Sequence, residues 1–159
     1  MNNVRILTIG RLREPYLAEA QKEYLKRLKP YLNLDVFELN DFPCPDNASP
    51  AEEEQVRQRE GLQIMKSIRP KSYLVTLDRR GNEMSSPELA KFIQERMNGA
   101  EPLVFVIGGS LGLSEEVIKS AQLSWSFSKL TFPHQLFRVM LLEQIYRACK
   151  INRNEPYHK

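Results

Sequence analysis

Three stretches of this 159-residue sequence combine residue types that could do chemistry. The first is Gly108-Gly109-Ser110-Leu111-Gly112-Leu113. Glycines let a ligand approach the backbone closely, and a helix that starts directly after such a turn presents free N–H groups. The same residues also suit any tight strand-to-helix turn. Position argues against two common ligands: a dinucleotide fingerprint follows the first strand of its domain, whereas this loop follows the fourth apolar run, and the phosphate-loop pattern GxxxxGK[ST] is absent. The second stretch holds Glu143, Arg147 and Lys150, whose spacing puts them on one side of a helix as a charged stripe. As a bare surface ion pair, Glu143 and Arg147 would contribute under about 1 kcal/mol. Arg138 projects from a different side of that helix, toward a possible subunit interface. The third is the tail Asn154-Glu155-Pro156-Tyr157-His158-Lys159, where the His158 imidazole could take a proton near neutral pH, unless the tail simply frays. His134, directly after Pro133, reads as structural or as part of a loop.

The elements that must position these groups follow from hydrophobic pattern. Val4 to Ile9, Leu34 to Leu39, Tyr73 to Leu77 and Leu103 to Ile107 are short runs rich in β-branched and apolar residues, and Leu123 to Phe127 alternates as a half-buried strand would. Leu17, Ala20, Tyr24 and Leu28 recur at helical spacing, with Lys22, Lys26 and Lys29 on another face. Ser49-Pro50-Ala51-Glu52 predicts a capped helix to about Ile68, Ser86-Pro87 a second one ending near Asn98-Gly99, and Ser114-Glu115-Glu116 a short third. A long apolar helix is expected from His134 to about Lys150. Strand and helix thus alternate five times, which predicts an α/β fold with a mostly parallel sheet and helices on both faces, because parallel neighbours need crossover connections. No linker divides the chain, so residues 1–159 read as a single domain.

A chain of this length buries enough surface to fold without disulfide or metal. Cys44 and Cys149 stand in no CxxC or CxxH spacing, which argues against a zinc site or redox pair, and Cys149 reads as a small buried apolar residue. No run approaches the roughly 20 apolar residues that span a bilayer. The opening Met1-Asn2-Asn3-Val4-Arg5 lacks the apolar core of a signal peptide, so a cytoplasmic protein with no membrane association is expected. Net charge is +3, but from Lys129 onward six Lys or Arg face only Glu143 and Glu155. Such a concentration suits a polyanion such as RNA.

Taken together, Phe105-Val106-Ile107-Gly108-Gly109-Ser110, Ser126-Phe127-Ser128-Lys129, Thr131-Phe132-Pro133-His134-Gln135, Arg138-Val139, Glu143-Gln144, Tyr146-Arg147-Ala148 and Tyr157-His158-Lys159 closely resemble, in order and spacing, the RlmH-type 23S rRNA pseudouridine methyltransferases of the SPOUT superfamily. The resemblance extends over essentially the whole chain. It implies an α/β fold whose C-terminal part threads a deep trefoil knot, with S-adenosylmethionine held by Leu77, Gly108 and the segment Phe127, Ser128, Lys129, Leu130, Thr131 and Phe132. It implies methylation of the ring nitrogen at position three of a pseudouridine in 23S rRNA of the assembled ribosome, without a metal. His158 is then the candidate base beside Tyr157, Arg147 contacts base or phosphate, and Glu143 positions Arg147. A homodimer is implied, with the partner's tail completing the site. Two other classes fit the residues alone: a non-catalytic ribosome-associated RNA-binding module, and a flavodoxin-like nucleotide or flavin binder using the Gly108 loop.

Overall fold

In the computed structural model, which describes residues 3–159, five strands form one parallel sheet in the order β2-β1-β4-β3-β5. Met1 and Asn2, the start of the opening segment considered above, lie outside the described residues. The elements run β1 (Asn3–Ile9), α1 (Pro15–Leu28), β2 (Asn33–Leu39), α2 (Pro50–Ser67), β3 (Tyr73–Glu83), α3 (Ser86–Met97), β4 (Leu103–Ile107), α4 (Glu115–Ser120), β5 (Leu123–Ser126) and α5 (His134–Asn152).

The sheet is covered on both sides. One core gathers Ile6, Phe105, Trp125, Leu89, Leu141 and Ile145 beneath α1, α3 and α5; the other gathers Leu7, Ile9, Val106, Ile64 and Val117 beneath α2 and α4. That is why β4 reads Leu-Val-Phe-Val-Ile without alternation and is buried at every position: a central parallel strand has no wet face. Among the described residues, no helix is long and apolar enough to cross a membrane.

The helix starts follow their capping chemistry. The Ser49 hydroxyl accepts the Glu52 N–H at 3.2 Å while the Glu52 carboxylate accepts the Ser49 N–H at 3.2 Å. The α3 cap is Ser85 rather than the expected Ser86, because only Ser85 has a glutamate, Glu88, three residues on to close the box.

Two strands differ from expectation. The third continues six residues past Leu77: Leu77 and Asn82 both pair with Trp125, so residues 78–81 loop out between them. Gly81 permits this return, since a Cβ there would stand 2.5 Å from the Ser124 carbonyl oxygen. β5 does not alternate, because Trp125 and Ser126 are both buried, the serine hydroxyl donating to the Ser128 carbonyl at 2.9 Å.

Arg138 does not reach outward. It is 0% exposed, with Nη1 2.6 Å from the Glu38 carboxylate and Nη2 donating to the Gly10 carbonyl at 3.0 Å. It therefore ties α5 to the carboxyl ends of β1 and β2.

Candidate active site

The loops after β3, β4 and β5 lie side by side because those strands are neighbours, and this adjacency assembles the first group of residues. Leu77, where β3 breaks into its bulge, and Gly108, directly after β4, are both buried. A Cβ on Gly108 would stand 2.7 Å from the backbone of Gly112, so the loop closes on itself only with glycine there. After β5, Phe127 packs at 4.7 Å on Trp125 and at 4.5 Å on Phe137, while Phe132 lies 6.0 Å from Phe137. Ser128 Oγ accepts the Leu130 N–H at 3.1 Å, and Thr131 Oγ1 accepts from Arg79 at 3.2 Å. Lys129 and Thr131 are exposed, and Leu130 is 69% exposed, an apolar side chain held out over the loop. His134 is half-buried at the start of α5, and burial, reinforced by the nearby Arg138 charge, lowers its proton affinity.

The second group forms on α5. Glu143 Oε1 accepts from Arg147 through Nη2 at 2.6 Å and Nε at 3.0 Å, and from the Tyr157 hydroxyl at 3.0 Å. Its other oxygen accepts from Gln144 Nε2 at 3.0 Å. Arg147 stacks 4.7 Å over the Tyr157 ring and reaches His158 Nδ1 at 3.2 Å. A guanidinium can only donate, so as a hydrogen bond this contact uses the Nδ1 lone pair. Burial and the Glu143 contact push the Tyr157 phenol up to about 12, so it remains a donor. Burial likewise pushes the Cys149 thiol up to about 11, and both cysteines are free.

The tail is folded back, not frayed. Tyr157 packs edge-on against Tyr146 at 4.9 Å, and Glu155 binds Lys150 at 2.6 Å and the Tyr31 hydroxyl at 2.5 Å. Lys150 thus leaves the expected stripe and serves the tail. Tyr31, Gln144 and Ser86, whose hydroxyl donates to Gln144 at 2.8 Å, complete the arrangement, and none of them was expected as a site residue. Gln144 adjoins Glu143 and could have been suspected; Tyr31, more than a hundred residues away, carries no local signal.

A groove of about 470 Å³ is lined by Phe127 of the first group and by Glu143 and Gln144 of the second, together with Trp125 and Tyr24; Gly108, Leu130, Arg147, Tyr157 and His158 are not in its lining. The buried indole nitrogen of Trp125 has no hydrogen-bond partner. Among the described residues, no group of three or more His, Cys, Asp or Glu is placed to hold a metal ion.

A family model described as "Predicted SPOUT methyltransferase" matches residues 2–158. The chain belongs to the SPOUT methyltransferase family. Membership makes it an enzyme that uses a methyl donor, and the non-catalytic and flavin-binding alternatives are set aside. Its SPOUT relatives include proteins named "Ribosomal RNA large subunit methyltransferase H" from Desulfitobacterium hafniense (strain DSM 10664 / DCB-2), 48% identical over all of both chains, and from Clostridium botulinum (strain Eklund 17B / Type B), 54% identical over 99% of each. The structure of a probable methylase family protein from Haemophilus influenzae Rd KW20 superposes on 99% of this chain and 71% of its own with a TM-score of 0.55 at 13% identity, a likeness of fold alone.

Proposed function

We propose that the chain is a single-domain, cytoplasmic SPOUT enzyme that methylates the ring nitrogen at position three of a pseudouridine in 23S rRNA of the assembled ribosome, with S-adenosylmethionine as donor. Full-length identity near one half to relatives named for rRNA methylation supports the reaction class. The observation that carries the site is the groove whose lining includes both Phe127 and Glu143, so that a base seated there would lie beside one residue of each group.

The residues present fit the donor. Leu77, Leu130 and Phe132 would give its adenine apolar contact, Gly108 would admit it close to the backbone, and the segment Phe127, Ser128, Lys129, Leu130, Thr131 and Phe132 would offer main-chain groups to its polar edges. When bound, S-adenosylmethionine supplies an electrophilic methyl group on a positively charged sulfur. The trefoil knot that the sequence resemblance implies would hold these loops together.

The chain's own groups would prepare the nucleophile. The target nitrogen carries a proton and is flanked by ring carbonyls. Arg147, aimed by Glu143, turns its guanidinium from His158 to one of those carbonyls, where it stabilises the negative charge that grows as the proton leaves. The same movement frees His158 Nδ1, whose lone pair takes the proton. Tyr157 keeps Glu143 in place by donating to it throughout. A homodimer, in which a second copy covers the groove and brings its own tail toward the donor loops, would complete the site; the half-buried Met140 and the 39% exposed Leu136 on α5 give it apolar surface.

The test is transfer of labelled methyl from S-adenosylmethionine to ribosomes lacking the modification, with the nucleoside identified by mass spectrometry. Labelled 3-methylpseudouridine is expected; label on another nucleoside would overturn the assignment of target. His158→Ala should lower turnover by about 10²-fold, the lower end for loss of a general base, and full turnover in that variant would remove His158 from the role.

A further inference from the structure

The reaction described above leaves one buried ionisable group unused. Glu60, on α2, is 5% exposed. Its Oε2 accepts the Phe42 N–H at 3.3 Å, the one hydrogen bond found for this carboxyl among the described residues. Burial, together with nearby Asp41, raises its proton affinity against the opposing effect of that N–H. A carboxyl so placed is a stability liability, because desolvating it costs more than one long hydrogen bond returns. A leucine on this helix would pack between Ile9 and Ile64 without that cost.

What Glu60 touches gives the reason for its presence. Both its oxygens lie against Gly109, where a Cβ would stand 3.3 and 3.4 Å from them and 3.2 Å from Ile9. The neighbouring residues of α2 hold the same loop: Arg57, fixed by Glu54 at 2.8 Å, donates to the Leu111 carbonyl at 3.4 Å, and Gly61 is glycine because a Cβ would come within 2.5 Å of the Ser114 hydroxyl. One face of α2 therefore grips the chain from Gly109 to Ser114 at three successive points. This grip lies beside the carboxyl ends of β1 and β4, where the connections from neighbouring strands diverge and open α/β sheets bind ligands.

We propose that Glu60 is a positioning residue for the glycine loop: it braces the backbone at Gly109 from behind and so sets the shape in which the loop receives the methyl donor. The inference rests on the donor site of the preceding subsection. It assigns Glu60 no contact with the donor and no part in proton transfer.

The test compares Glu60→Leu, Glu60→Gln and, as a packing control one turn along α2, Ile64→Ala. Two quantities are read beside Tm: amide hydrogen exchange across residues 108–113 without any ligand, and the KM for S-adenosylmethionine against kcat on ribosomes. Glu60→Leu should keep or raise Tm, yet speed exchange in the loop and raise the donor KM roughly tenfold, because the polar brace behind Gly109 is gone. Its kcat at saturating donor should stay within about twofold, since the reacting groups are elsewhere. Glu60→Gln, which still accepts the Phe42 N–H, should restore both readouts. Ile64→Ala should lower Tm without changing the donor KM. Unaltered loop exchange or donor KM in Glu60→Leu would overturn the proposal, as would an equal rise in KM for Ile64→Ala. Should Glu60→Leu not fold, Glu60→Ala carries the same two readouts. The exchange measurement needs no donor, so it decides the grip even if the wild-type chain transfers no methyl group, a result that would sink the functional reading instead.

Discussion

Helix α5 carries two arginine–carboxylate pairs of identical length and different purpose. At its start Arg138 meets Glu38 at 2.6 Å with side chains 0% and 36% exposed; two turns on, Arg147 meets Glu143 at 2.6 Å with side chains 25% and 19% exposed. Arg138 spends its donors on groups far away in sequence, Glu38, Gly10 and Gln21, and no solvent reaches it. Arg147 spends its donors on its own helix and on a tail that folds over it, and one of its contacts, to His158, is at the edge of solvent. Distance alone would rank the pairs equal. Burial of the arginine separates a strut, which holds two strands and two helices in register, from a reagent that can change partners.

The sharpest way to break this comparison is Arg138→Ala. Removing it leaves a cavity and the Gly10 carbonyl without its donor, while the exposed Glu38 carboxylate turns to water, and a loss of about 2–4 kcal/mol is expected, seen as a Tm lower by roughly 5 °C or more. Arg147→Ala should do the reverse. Stability should change by no more than about 1 kcal/mol because the pair is partly solvated, while kcat/KM for methyl transfer should fall by about 10²–10³-fold. If Arg147→Ala unfolds the chain, or Arg138→Ala leaves Tm unmoved, the distinction between strut and reagent fails. Tyr157→Phe sharpens the picture at the second pair. Its ring still packs on Tyr146, but the hydroxyl on Glu143 is gone, and a loss of about 0.5–1.5 kcal/mol in stability should accompany a kcat lowered less than in Arg147→Ala.

The smallest expected effect is a dependence on acid. Lys150 and Tyr31 hold the Glu155 carboxyl below its ordinary value of 4.5. A group depressed on folding contributes stability above its unfolded value and loses it as pH falls through its folded value. The tail should therefore stay docked down to about pH 4.5 and loosen progressively below it. The ring resonances of Tyr157, followed by NMR through that range, should shift toward those of an exposed tyrosine. Lys150→Met should move the loosening to higher pH; a tail docked at pH 2 would remove Glu155 from this role.

Where the determinants were local, sequence was sufficient. Serine, proline and glutamate at fixed spacing marked the start of α2 to the residue, and the Leu-Val-Phe-Val-Ile run identified a strand. Glu143 and Arg147 were legible for the same reason, being four residues apart on one helix. Determinants that depend on distant partners were not. The segment Asp78-Arg79-Arg80-Gly81 looks like the end of a strand, and only the approach of Ser124 to Gly81 turns it back into the sheet. Arg138 reads as a side chain aimed at a subunit interface until Glu38, a hundred residues earlier, is brought beside it. Glu60 reads as an ordinary helix glutamate, since nothing near it in sequence announces that Gly109 will close over its carboxyl.

The separation of 100 residues between Glu38 and Arg138 is also an interval of time. At a synthesis rate of about 5–20 residues per second, roughly 5–20 s pass on the ribosome between the two. Until α5 is made, Leu141, Leu142 and Ile145 are missing from one side of the sheet, and that face of β1 and β4 is covered only in part, by α1 and α3. The nascent chain therefore carries a partly uncovered apolar surface for most of its own translation, and it closes that surface, seats its arginine strut and builds its reactive cluster in a single late event.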